Sequence, residues 1–206
     1  MKTYFGFCDP SGGSSDSMTL AIAHRSLLGN AVCDGSWERR APFSPDDCVR
    51  EFAEVLKSYR VAKVVGDRYS GEWVRERFRE HGITYMLSEK TKSEIYVAFV
   101  ALLNSGRVKF PGDARLRRQF ESLERRSSRS GKDFVDHLPG SHDDVANSVA
   151  GALVLAASAS RASRELHLHS LNMRSSGGDF GWGPPPDREP GSAVSDSSDR
   201  GWTKLC

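Results

Sequence analysis

The hydrophobic period of the chain changes near residue 44, and this change constrains the fold more than any other feature. Before it, residues 3–8, 17–24 and 30–39 form short apolar runs separated by turn residues, which predicts three strands in an antiparallel meander. After it, apolar residues recur at helical spacing. The first helix begins at Ser44-Pro45-Asp46-Asp47, where serine can cap, proline suits the first turn and two acids favour the helix dipole. Strands followed by alternating helices and strands indicate an α/β protein with an antiparallel edge.

The elements after residue 44 complete this pattern. Further strands are predicted at residues 61–66 and 83–87, with an edge strand at 107–110, and helices at residues 71–81, 92–104, 113–126 and 142–160. Residues 127–140 are predicted as a polar loop or small hairpin. This order matches the ribonuclease H-like fold, whose central mixed sheet would have three antiparallel strands plus two parallel ones, flanked by helices. We expect a folded domain over residues 1–165 and a flexible Gly/Ser/Pro-rich tail over 166–206.

Charge and cysteine content narrow the functional classes. Residues 107–132 carry nine Lys/Arg and three Asp/Glu, a local net of +6 in a chain of net charge +2. This stretch suits a polyanion surface, or equally a solvated helix face. The four cysteines have no CxxC spacing, so they are expected to be reduced thiols rather than zinc ligands. No signal peptide or membrane span is recognisable, and a cytoplasmic protein is expected.

Acidic residues lie where the predicted elements should converge. Asp9 ends the first strand and Asp67 ends the fourth, which should pair in parallel, and Asp143 and Asp144 open the last helix. The carboxyl ends of neighbouring parallel strands meet at one edge of a sheet, where ligands of such folds gather. Each acid alone is better explained as a turn, cap or helix-dipole residue. Together they predict a carboxylate site for hard divalent cations such as Mg²⁺ or Mn²⁺.

Other polar residues near these positions are weaker candidates. Asp16 is an auxiliary acid, and His142 is either a metal ligand, a proton shuttle or a residue of the helix start without a role. His137 is expected to have no role. Glu51 and Glu54 lie off the apolar stripe of the first helix and are interpreted as a solvated face, although a helix-borne glutamate joins the site of ribonucleases H.

Four motifs, taken in order, resemble the nuclease domain of phage terminase large subunits. They are residues 9–13 (DPSGG) with Asp16, residues 66–73 (GDRYSGEW), residues 92–94 (KSE) and residues 142–147 (HDDVAN). The resemblance covers about residues 4–156. It implies a nuclease that cuts concatemeric double-stranded viral DNA during genome packaging, with two divalent cations, Mg²⁺ or Mn²⁺. It makes Asp9, Asp67 and the Asp143/Asp144 pair the metal ligands, without deciding which of the last two binds which ion.

The resemblance also implies partners. Lys92 would approach DNA phosphate, and basic residues on the loop or hairpin before the last helix suit phosphate contacts: Arg125, Arg126, Arg129 and Lys132. A terminase ATPase domain or small subunit and a portal protein would be further partners. No GxxxxGK[ST] motif is present, so we expect either an isolated nuclease domain or a product that lacks its motor, and neither would package DNA alone. The alternatives are another ribonuclease H-like nuclease, such as a resolvase or ribonuclease H, and a non-catalytic module that docks to DNA or portal. A serine or cysteine hydrolase has little support.

Overall fold

The computed structural model describes residues 2–67, 71–127, 133–138, 140–174 and 203–204. Within these ranges, nine strands lie at β1 Tyr4–Asp9, β2 Met18–Arg25, β3 Ala31–Arg39, β4 Lys63–Gly66, β5 Thr84–Leu87, β6 Val108–Lys109, β7 Leu123–Ser127, β8 Asp133–His137 and β9 Thr203–Lys204. The same described residues contain five helices, α1 Pro45–Ser58, α2 Glu72–Glu80, α3 Lys92–Asn104, α4 Ala114–Glu121 and α5 Asp144–Arg174. Two compact units are present: residues 1–158 with 202–206, and residues 159–201.

The main sheet has the predicted mixed topology. Its strand order is β5-β4-β1-β2-β3-β6, with β9 also paired to β3. β2 pairs antiparallel with both β1 and β3, whereas β4 pairs in parallel with β1 and β5 pairs in parallel with β4. The predicted edge strand is β6, which pairs in parallel with the beginning of β3. The predicted class, an α/β ribonuclease H-like fold with three antiparallel and two parallel strands, is confirmed.

Each face of the sheet has its own core. Phe7 packs with Tyr96, Phe99 and Leu153 on the face covered by α3 and α5. The adjacent Cys8 packs on the opposite face, which α1 and α2 cover. This alternation follows from the two-residue period of a strand, and a sheet buried on both faces explains why β1 and β2 carry apolar residues on both faces.

The helix predicted over residues 113–126 is wrong in its second half. α4 ends at Glu121, and Leu123 begins a strand that forms the hairpin β7–β8. Phe120 and Leu123 both pack against the core, but Leu123 does so from the hairpin beside Val135. An apolar spacing of three residues suits a continuous helix, and here strand pairing outweighs it.

The last helix is longer than predicted. α5 continues past Ser160 to Arg174, because no glycine or proline interrupts it after Gly151. It therefore crosses the predicted domain end at residue 165, and residues 159–174 belong to the second compact unit. The strand β9 lies within the predicted flexible tail and was not expected. The rest of the tail after Arg174 lies outside the described residues, so the predicted flexibility stays a prediction. In the described part of the chain, no helix is both long and apolar enough to span a membrane.

Candidate active site

Two carboxylates lie at the adjoining ends of neighbouring parallel strands, as the sequence predicts. Asp9 is the last residue of β1, and Asp67 directly follows β4. Cys8 lies opposite Gly66 in the register that joins these strands. Gly66 is required there, because a Cβ would lie 2.0 Å from the Tyr85 hydroxyl and 2.5 Å from the Cys8 carbonyl oxygen. The close contacts at Gly66 therefore fix the backbone at the residue that precedes Asp67.

The start of α5 is fixed over the same edge by two hydrogen bonds. The Thr19 hydroxyl on β2 donates to the Asp144 carbonyl at 2.8 Å. The Gln119 side-chain carbonyl on α4 accepts from the Ala146 amide at 2.9 Å, satisfying one of the free N–H groups of a helix start. Asp143 and Asp144 thereby join Asp9 and Asp67 in one open cleft of about 680 Å³. Polar residues dominate its lining: Asp9, Ser11, Ser14, Ser15, Asp16, Ser17, Asp67, Lys92, His137, Ser141, His142, Asp143 and Asp144.

Asp9 is oriented by a side chain of α5. The Asn147 amide nitrogen donates to Asp9 Oδ2 at 2.8 Å, and Asn147 is almost completely buried. Burial raises the pKa of Asp9 to about 7. The carboxylates of Asp144 and Asp67 contribute to this rise, whereas the hydrogen bond from Asn147 and the charge of Lys92 oppose it. The ionised form of Asp9 is therefore held at a cost that a nearby cation would offset.

Asp143 has both carboxylate oxygens engaged by α3. The Lys92 ammonium donates to Oδ1 at 2.7 Å, and the Tyr96 hydroxyl donates to Oδ2 at 2.7 Å. Asp143 is only 2% exposed, so this is a buried ion pair with an added hydrogen bond. The two donors are four residues apart on α3 and occupy the same side of the helix. Asp143 is thus the acid whose oxygens are already bonded to protein groups.

Asp144 has the opposite character. Its Oδ2 is buried and has no hydrogen-bond partner in the described part of the chain. Burial raises the pKa of Asp144, and the neighbouring Asp143 carboxylate raises it further. A buried oxygen without a partner costs free energy unless a ligand satisfies it. The atom is therefore a candidate cation ligand.

The donor set suits a hard divalent cation, although its members do not yet converge. Among the described residues, no three acidic, histidine or cysteine side chains stand close enough to hold a metal ion as they are. Asp9, Asp67 and Asp144 nevertheless line one cleft and offer only carboxylate oxygens, which Mg²⁺ and Mn²⁺ prefer. Like charges repel when no cation lies between them. The unsatisfied Asp144 oxygen and the raised pKa of Asp9 agree with a site of this kind.

The remaining predicted residues divide between the cleft and its surroundings. Lys92 lines the cleft, but its ammonium is bonded to Asp143 and lies 4.0 Å from Asp136. Asp16 and His142 lie at the rim with Asp16 Oδ1 and His142 Nδ1 3.7 Å apart, and both side chains are more than half exposed.

Two of the residues predicted to bind phosphate lie outside the described cleft. Arg125 and Arg126 are exposed on β7, and neither lines the described cleft. Arg126 pairs with Glu124 at 3.1 Å. Arg129 and Lys132 lie outside the described residues, as do residues 68–70 of the GDRYSGEW motif. Their predicted contacts with DNA stay predictions.

One interpretation of the first helix is wrong. Glu51 forms an ion pair with Arg39 of β3 and its side chain is only 13% exposed, so it is not on a solvated face. Its partner Arg39 lies on β3, and the spacing of apolar residues along the helix does not reveal this contact. Glu54 is exposed, as expected. Neither glutamate lines the cleft in the described part of the chain.

Three residues near the acids were missed or set aside at the sequence level. His137, expected to have no role, lines the cleft with Nε2 3.9 Å from Asp143 Oδ1. Its Nδ1 lies 2.9 Å from the Leu138 carbonyl oxygen. Tyr96 and Asn147 contact Asp143 and Asp9. Helical spacing could have identified the last two, since Tyr96 lies four residues after Lys92 and Asn147 lies four residues after Asp143.

Comparison with solved structures gives one consistent result. The large terminase nuclease from thermophilic phage G20c, in the structure with bound magnesium, matches with a TM-score of 0.60 and 23% identity over 74% of this chain and 80% of that chain. The nuclease domain of the large terminase subunit of bacterial virus Sf6 matches with a TM-score of 0.55 and 14% identity over 75% of this chain and 87% of that chain. The chain has the fold of phage large terminase nucleases.

The same fold occurs inside a longer terminase. The HK97 bacteriophage large terminase matches with a TM-score of 0.58 and 15% identity, over 74% of this chain and 40% of that chain. No protein-family model and no curated protein sequence matches the chain. At these identities the similarity establishes the fold, and the chemistry must be inferred from the cleft.

Proposed function

We propose that the chain is a divalent-metal-dependent endonuclease that cuts double-stranded DNA. The observation that carries this proposal is the cleft that joins Asp9, Asp67 and Asp144 at the carboxyl ends of two parallel strands. The raised pKa values of Asp9 and Asp144, together with the unsatisfied buried oxygen of Asp144, suit cations rather than an organic ligand. The fold shared with terminase nucleases supports the same chemistry.

We assign the metal ligands more narrowly than the sequence does. Asp9, Asp67 and Asp144 would hold Mg²⁺ or Mn²⁺, and Asp143 would not be a direct ligand while Lys92 and Tyr96 bond both of its oxygens. When bound, two such ions supply an activated water and stabilise the leaving oxygen of a phosphodiester. The phage G20c nuclease has been solved with magnesium and with cobalt, which supports a divalent ion here.

The other cleft residues position this site. Asn147 holds Asp9 Oδ2, which leaves Oδ1 as the oxygen free to turn toward a cation. The Lys92 ammonium lies between α3 and the acids, where its charge lowers the pKa of Asp9 and so favours the ionised carboxylate. Asp143 holds Lys92 in this place and so contributes to the site without ligating the ion.

The substrate and partners follow from the shared fold. We propose that the DNA is concatemeric viral DNA, cut into genome lengths during packaging in the host cytoplasm. A terminase ATPase domain or small subunit and a portal protein would then be the partners. In the HK97 large terminase, the matched region is 40% of the chain, so a region of this size is there part of a longer protein.

Plasmid cleavage tests the proposal directly. Supercoiled DNA is incubated with the wild type in EDTA, Mg²⁺ and Mn²⁺, beside Asp67→Asn and the control Asp46→Asn. Asp46 is an exposed acid of α1 and is absent from the cleft lining in the described chain. Nicking or linearisation is expected with metal only, lost in Asp67→Asn and retained in Asp46→Asn. Cutting in EDTA, or equal cutting by both variants, would refute a carboxylate-bound metal.

Two further substrates separate the competing nucleases. An RNA–DNA hybrid and a four-way junction are offered under the same conditions. Preference for the hybrid or the junction over plain duplex would replace the terminase assignment by a ribonuclease H or a resolvase. A folded protein that binds duplex but cuts none of these substrates would be a docking module.

A further inference from the structure

A buried glutamate at the end of β3 gathers two arginines. Glu38 has a side chain that is 1% exposed. Its Oε1 accepts from Arg115 of α4 at 2.5 Å and from the Ser17 hydroxyl at 2.8 Å. Its Oε2 accepts from Arg40 Nε at 3.3 Å. Both oxygens of the carboxylate therefore accept hydrogen bonds from these three donors.

This cluster lies at the same edge of the sheet as the candidate active site. The strand register aligns Asp9 with Thr19, and Thr19 with Glu38, so the three residues form one row across β1, β2 and β3. Directly opposed residues project from the same face of a sheet. Ser17 both lines the cleft and donates to Glu38. One serine thus separates the cleft from the two arginines.

The cluster has more positive charge than the contacts of Glu38 neutralise. Two guanidinium groups share one carboxylate, which leaves a net charge of +1 on these three side chains. Arg40 is 63% exposed and Arg115 is 29% exposed, so both reach solvent. Arg115 Nε is buried and has no hydrogen-bond partner among the described residues. The Glu38–Arg115 pair joins β3 to α4, and Arg40 is a second, exposed cation beside a carboxylate that is already paired.

We propose that Arg40 and Arg115 form a subsite for a backbone phosphate of the DNA strand that enters the cleft. The inference rests on the proposed nuclease function. Guanidinium groups bind phosphate oxygens through paired N–H donors, and a fixed guanidinium loses less conformational entropy on binding. Glu38 fixes both guanidinium groups, because it is hydrogen-bonded to them in the absence of a ligand. The subsite contacts the backbone and confers no base preference.

Duplex binding without cleavage tests this subsite. A labelled 20-base-pair DNA is titrated with the full chain in EDTA, and the dissociation constant is measured by fluorescence anisotropy across a series of salt concentrations. Arg40→Ala is the principal variant, because Arg40 is exposed and its removal leaves the Glu38–Arg115 pair in place. Arg40→Lys keeps the charge, and Arg79→Ala removes an arginine of α2 that is 78% exposed.

The loss of one phosphate contact has a defined signature. The slope of log K against log salt should become shallower by about 0.9, which corresponds to binding weakened roughly eightfold at 0.1 M salt. Arg40→Lys should recover most of the slope, and Arg79→Ala should match the wild type. If Arg40→Ala matches the wild type, or weakens binding no more than Arg79→Ala, the subsite is refuted while metal-dependent plasmid cutting still stands. If the wild type binds no duplex in EDTA, the subsite is refuted as well, and the plasmid assay still decides the nuclease proposal.

Discussion

Replacing Asp9 with asparagine should stabilise the metal-free protein at neutral pH. Asparagine keeps an oxygen that accepts from Asn147 and removes the charge that burial disfavours. The pKa of Asp9 is raised from 3.8 to about 7, so the folded protein holds a proton that the unfolded chain releases in this range. The stability contributed by the protonated carboxyl is complete below pH 3.8, is lost as the pH rises towards 7, and stays lost above it.

The size of the effect follows from the same two values. At about 1.36 kcal/mol per unit of pH, the difference between 3.8 and about 7 corresponds to about 4 kcal/mol. Asp9 is only partly shielded from water, which screens its charge, so we expect about half of this, roughly 2 kcal/mol at pH 8. For a domain of this size, about 2 kcal/mol raises the melting temperature by roughly 4–8 °C.

Urea unfolding in EDTA at pH 5, 6, 7 and 8 measures this difference, with Asp46→Asn as the control for loss of an exposed acid. The free energy of unfolding of Asp9→Asn should exceed that of the wild type at pH 8, and the gap should shrink towards pH 5. Added Mn²⁺ should stabilise the wild type and leave Asp9→Asn almost unchanged, because a ligand stabilises only the state that binds it. Equal stability of the two proteins at pH 8, or a gap that does not change with pH, would refute the assigned cost of the Asp9 charge.

Three further predictions concern the packing around the cleft. Tyr96→Phe should lower the free energy of unfolding by about 1–3 kcal/mol in urea titration, because it leaves an oxygen of buried Asp143 without its donor; an unchanged midpoint would contradict this. Lys92→Met should cost about 2–4 kcal/mol by the same measurement and Asp143→Asn should restore part of it in the double variant, since a buried charge would otherwise lack a partner. Gly151→Ala should lower the melting temperature despite the better helix propensity of alanine, because its Cβ would lie 2.4 Å from the Phe7 ring; a higher melting temperature would show that the ring can move away.

Much of the fold could be predicted from local signals. The N-cap Ser44 accepts from the Asp47 amide at the predicted start of α1. The predicted α3 likewise begins at Lys92, behind a capping box formed by Thr91 and Glu94. The failures lie where partners distant in sequence decide the structure. The strand at Leu123 forms because β8 pairs with it, and β9 forms because β3 offers an open edge, which a local window of sequence does not contain.

The site could be predicted in position but not in detail. The placement of Asp9 and Asp67 follows from strand ends, and Asp143 and Asp144 follow from a helix start. The sequence could not separate the last two acids, because adjacent residues on a helix differ only in the direction they face. That direction is set by α3, whose Lys92 and Tyr96 engage Asp143 and leave an oxygen of Asp144 without a partner.

The contrast between these neighbouring acids explains how the chain holds a charged site in the absence of metal. If every acid at the edge pointed into the cleft unpaired, their mutual repulsion would oppose folding. Asp143 instead brings Lys92 into the cleft, and that ammonium lowers the pKa of Asp9. Asn147, from the same turn of α5, bonds one oxygen of Asp9. The first turn of α5 therefore supplies a candidate ligand in Asp144 and, through Asp143 and Asn147, the groups that favour the ionised form of Asp9 and orient it. Metal binding would then complete a site whose charge the protein has only partly balanced.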